Sequence, residues 1–145
     1  MVTLSKIQRT TQEFIKEGKL HEYSDEVTAI IKKIDVEGCG ISCHYRADEA
    51  SSHSFAPGNT YIRIAMLGKN HPLHIIWDIL HEYGHFLSGL PDTNGPDLKR
   101  ELLAWDFACK ELELYPRLKS FTANFDAYKE DCLIGYRKFD KPVRK

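Results

Sequence analysis

The run Leu73–Leu90, LHIIWDILHEYGHFLSGL, is largely apolar, yet it carries two histidines and a glutamate in the block His81-Glu82-Tyr83-Gly84-His85. Its apolar residues recur at helical spacing. Asn70-His71-Pro72 supplies a cap-like residue and an early proline before it, and Gly89 and Pro91 stop it. On a helix of about 3.6 residues per turn, positions 81 and 85 lie roughly one turn apart on one face. Placing two imidazoles and a carboxylate among Ile75, Ile76, Ile79, Leu80, Phe86 and Leu87 is costly unless they find partners. One reading is that these are ordinary polar residues that happen to fall at helical spacing. The other is a metal. The pattern H-E-x-x-H lets His81 and His85 grip one zinc ion, while Glu82, about 100° round the helix, stands beside it as a base for an attacking water.

A catalytic zinc takes three protein ligands and keeps one position open. All seven histidines lie at or before His85, and the extended pattern H-x-x-G-x-x-H fails because Ser88 and Pro91 occupy its last two fixed positions. The third ligand is therefore sought among the downstream carboxylates Asp92, Asp97, Glu101, Asp106 and Glu111. The segment DLKRELLAWDFACKELELY predicts a helix from near Pro96 to before Pro116, on which the small residues Ala104 and Ala108 permit close approach of a neighbour. If they face the His81–His85 helix, Glu101, at i−3 from Ala104, shares that face and points at the metal. Glu101 is the first choice and Asp97 the second.

HEYGH followed by Glu101-Leu102-Leu103-Ala104-Trp105-Asp106-Phe107-Ala108 resembles the ImmA/IrrE family of gluzincin-like zinc metallopeptidases, whose members pair HExGH with a downstream E-x-x-A-x-x-F-A helix. The likeness spans about residues 60 to 115, and family specificity rests on the second motif, since the first is shared by many zincins. The resemblance implies a compact zincin fold, a bacterial or phage setting, and cleavage or inactivation of a helix-turn-helix transcriptional repressor. Members often carry Asn or Asp four residues after the ligand glutamate, where it steadies a zinc histidine. Here that position is Trp105, which leaves Asp78 or Asp106 as substitutes or as plain surface residues.

The rest of the chain gives the frame. Ile7, Phe14, Ile15, Val27, Ile30, Ile31 and Ile34 predict two N-terminal helices interrupted near Gly18. ISCHYR and TYIRIAM are short β-prone runs separated by the polar stretch DEASSHSFAPGN, which predicts a small antiparallel sheet. TYIRIAM reads equally as a structural strand or as an edge that pairs with a peptide substrate. A last helix is predicted over roughly Leu118 to Tyr136, before a basic tail, and its Tyr128 and Tyr136 are both candidate donors to a tetrahedral intermediate. His53, in the polar loop, is given no role. The expected fold class is α+β and zincin-like, as one domain over residues 1–145.

Lys and Arg number 20 against 21 Asp and Glu, a net charge of −1 that gives no electrostatic case for binding nucleic acid or an anionic membrane. The N-terminus has no apolar signal region and no stretch is long enough to span a bilayer, so a cytoplasmic location is expected. There Cys39, Cys43, Cys109 and Cys132 are expected as free thiols, and Cys39-x-x-x-Cys43-His44 lacks the downstream pair of a second zinc site. The function expected is zinc-dependent hydrolysis of a protein or peptide substrate. The alternative is a non-catalytic, zinc-stabilised regulatory module that meets a transcription regulator as an anti-repressor or toxin component.

Overall fold

Ser5 starts the first helix with a reciprocal cap: its hydroxyl accepts from the Gln8 N–H and the Gln8 side chain accepts from the Ser5 N–H. This computed structural model describes residues 4–90 and 97–139. Pro91, the candidate ligand Asp92, the turn at 92–96 and the basic tail from residue 140 onward lie outside the described residues. The order of elements is α1 (Lys6–Glu17), a 3-10 turn (His21–Tyr23), α2 (Ser24–Val36), β1 (Gly40–His44), β2 (Ser52–Ala56), β3 (Asn59–Ala65), α3 (Leu73–Ser88), α4 (Leu98–Leu112), α5 (Pro116–Lys119) and α6 (Thr122–Phe139). The class is α+β, with six α-helices among the described residues and one three-stranded sheet. No described helix is long and apolar enough to cross a membrane.

Two compact units divide the chain, residues 1–79 and 80–145. In the first, α1 and α2 pack on each other and on β1, burying Phe14, Val27, Ile30, Ile31 and Ile34. The sheet order is β1-β3-β2. β2 and β3 form an antiparallel hairpin across Pro57-Gly58, with Ala56 opposite Asn59, whereas β1 runs parallel to β3, with Ile41 opposite Ile62 and Cys43 opposite Ile64. The sheet is therefore mixed, which corrects the antiparallel expectation. Residues 45–51 carry the chain past β3 before it turns back, so β3 returns in the direction of β1.

β2 itself is absent from the sequence reading. SHSFA has no β-branched residue and is at most half-buried, so pairing with β3 rather than propensity makes it a strand. His53 belongs to it, its ring stacked on Phe55 with centroids 4.6 Å apart. The edge-strand reading of TYIRIAM also falls. β3 has a partner on both sides, leaving its ladder groups committed to the sheet.

The second unit takes up the later half of α3 together with α4, α5 and α6. α4 packs on α6 and α5, burying Ala104, Trp105, Ala108, Leu112, Leu118, Phe125 and Leu133. Asp97 caps α4 by accepting from the Arg100 N–H at 3.1 Å. The last helical stretch is broken in two, because Pro116 opens the short α5 and the Ser120 and Thr122 hydroxyls bond back to the carbonyls of Arg117 and Lys119.

Candidate metal centre

α3 presents the histidines as their spacing predicts. At its start His71, not Asn70, does the capping, its Nδ1 accepting from the Leu73 N–H at 3.0 Å. At its end Gly89 adopts φ 67°, the left-handed geometry that glycine takes at no steric cost, and the helix stops there. Between them His81, Glu82 and His85 fall on the part of α3 that belongs to the second unit.

α4 lies against this stretch at Gly84. A Cβ added to Gly84 would stand 2.1 Å from the Ala104 carbonyl oxygen, so a bare backbone is required there. That approach brings Glu101, one helical turn before Ala104 and Trp105, to the histidines. His85 Nε2 pairs with Glu101 Oε2, His81 Nε2 lies 3.4 Å from Glu101 Oε1, and the two Nε2 atoms are 3.1 Å apart. His81, His85 and Glu101 thus form a group with donor atoms close enough to hold one metal ion. Two of the three separations, 3.1 and 3.4 Å, lie near the spacing of about 3.3 Å between adjacent ligand atoms of a tetrahedral zinc with bonds of roughly 2.0–2.1 Å, and the His85–Glu101 pair is closer than that. Two imidazoles and a carboxylate are also a donor set that zinc accepts.

The electrostatics match. His85 is 1% exposed and Glu101 5%, so neither group is left to water. Burial pulls the His85 pKa below its ordinary 6.5 and outweighs the hydrogen bond from its side to Glu101, so the imidazole is neutral at pH 7. Burial pushes the Glu101 carboxyl upward, but its hydrogen bonds to His81 and His85 prevail and hold it well below the usual carboxylate range. Metal ligands need this state, a neutral imidazole and an ionised carboxylate. Glu82 is 3% exposed, its Oε1 3.7 Å from His81 Nδ1, beside the ligand group rather than in it.

The surrounding residues sort themselves by geometry. Asp97 is occupied as a helix cap and Asp106 is exposed. Asp78 accepts from Lys69 at 2.6 Å and from Ser51 at 2.5 Å, a cluster of the first unit. Tyr128 lies edge-on to Trp105 at 6.4 Å. Tyr136 instead hydrogen-bonds to Glu101; burial first, then that carboxylate, push its pKa up, so its hydroxyl keeps its proton and donates. Trp105, at the position where an Asn or Asp would steady a histidine, stacks flat on His81 with centroids 4.3 Å apart and planes 4° apart.

Sequence reasoning names Tyr136 beside Tyr128 without choosing between them, and it misses both the Tyr136–Glu101 pairing and the Gly84 contact. Tyr136 is separated from Glu101 by 35 positions, and nothing but the antiparallel pairing of α6 with α4 joins them. The Gly84 contact did have a signal, the glycine inside a helix, which is unfavourable by about 1 kcal/mol relative to Ala and so points to a packing reason. Compared with known proteins, the chain matches no family model, no curated protein and no solved structure.

Proposed function

We propose that the protein is a zinc-dependent metallopeptidase in which His81, His85 and Glu101 hold the metal and Glu82 is the general base. The observation that supports this most is the convergence of the two Nε2 atoms and the Glu101 carboxylate from separate helices, with Glu82 alongside. Three protein donors in this group of described residues leave room for a further ligand, as catalytic zinc sites do, whereas structural sites are closed by four.

When bound, zinc supplies a Lewis acid that polarises a carbonyl and acidifies water. The chain's own groups carry the rest. Glu82 accepts a proton at its carboxylate from the water that attacks the scissile carbonyl, then delivers it to the departing amine nitrogen. Tyr136, protonated, gives its single hydroxyl proton to Glu101 and so steadies that carboxylate. The likeness to the ImmA/IrrE pattern makes a helix-turn-helix repressor the substrate of first choice.

The test is Glu82→Gln, which keeps shape and removes the base. Co-expression with candidate repressors should yield a discrete cleavage product with the wild type, reduced by at least about 10²-fold in the variant at equal protein level. Equal relief of repression by both, with no cleavage by either, would replace the peptidase with a zinc-stabilised binding module.

A further inference from the structure

A ligating imidazole has a ring plane to fix, and zinc-bound histidines ordinarily fix it by donating their second ring N–H to a carboxylate or carbonyl. The plane of His81 also meets a restraint of another kind. The Trp105 indole lies parallel to the imidazole, 4° off and 4.3 Å away, so rotating the ring about its χ2 drives an imidazole edge into the indole face. Trp105 is itself immobilised. It is 1% exposed, and Phe125 and Tyr128 of α6 meet it edge-on at 5.6 and 6.4 Å. With the plane held this way, His81 Nε2 faces His85 Nε2 and Glu101 Oε1. Trp105 follows Glu101 by one turn of α4, so a single helix provides both the third ligand and the wall that aims the first.

We infer that Trp105 is a positioning residue that holds the His81 ring in its metal-binding orientation by stacking. This rests on the zinc reading above, and the experiment separates the two.

Zinc affinity of the full chain is measured by competition with a chromophoric chelator. Trp105→Leu, which removes the flat face, should bind zinc about 10- to 100-fold more weakly, the range typical of lost orienting partners. Trp105→Phe, which keeps an aromatic face, should recover affinity to within about fivefold of wild type. Leu112→Ala, a core truncation two turns along the same helix, controls for lost packing and should stay within about threefold. Affinity for Trp105→Leu within about threefold of wild type, or an equal loss in Leu112→Ala, overturns the assignment. If Trp105→Leu does not fold, cobalt(II) added to a Trp77→Phe protein, where Trp105 is the one tryptophan left, decides. Quenching that saturates at about one equivalent supports the stack on a ligand, and unchanged emission with metal bound overturns it. A wild type that binds no zinc refutes the zinc reading itself.

Discussion

His85 and Glu101 are a buried pair whose protonation states are set against each other, and this makes the centre sensitive to acid. The folded His85 titrates below 6.5, so the unfolded chain binds the extra proton in the interval beneath 6.5 and folding weakens there as pH falls. Glu101, held below its ordinary 4.5, adds a contribution that is present above 4.5 and lost below it. Both act in the same direction. The melting temperature of metal-free protein is therefore expected to fall as pH drops from about 6.5, by more than in Glu101→Gln, whose amide no longer titrates. A flat profile from pH 7 to 4 would contradict the assigned states. The residues of the motif were legible because H-E-x-x-H is short-range, and Glu101 because Ala104 and Ala108 mark a close face. The stacking of Trp105 and the choice of Tyr136 over Tyr128 were not, since they depend on side-chain orientation and on pairing between distant helices.

At the scale of elements, the second unit depends on how near α4 comes to α3. Gly84→Ala sets a methyl against the Ala104 carbonyl, backbone against backbone, so the helices must separate. A loss of about 1–3 kcal/mol is expected, the usual cost of overpacking, together with weakened zinc binding as Glu101 moves away. Unfolding in urea with and without zinc measures both. Asp97→Ala makes the opposite case. It should lose about 1 kcal/mol of cap energy and keep its zinc, which separates a cap from a ligand. Loss of zinc in Asp97→Ala but not in Glu101→Ala would transfer the ligand role. α1, α2, α3 and α4 were legible from periodicity with their ends nearly in place, as Gly18 and Gly89 mark. The direction of β1 against β3 was not, because strand order follows from a long connection, which leaves no local trace.

For the whole molecule, a net charge of −1 gives no long-range attraction for a polyanion. The four cysteines are free, and burial pushes the Cys39 thiol up to about 11 and Cys43 up to about 12, so these two are poor nucleophiles and poor metal ligands at pH 7. The proposed metal function rests instead on His81, His85 and Glu101 of the second unit. The most direct measurement is the metal content of purified protein by elemental analysis, compared between wild type, a His81→Ala, His85→Ala double variant and Glu101→Ala. About one zinc per chain in the wild type, with little in either variant, is the predicted result. Full zinc retention in the double variant, or none in the wild type after zinc is supplied, would contradict the metal centre.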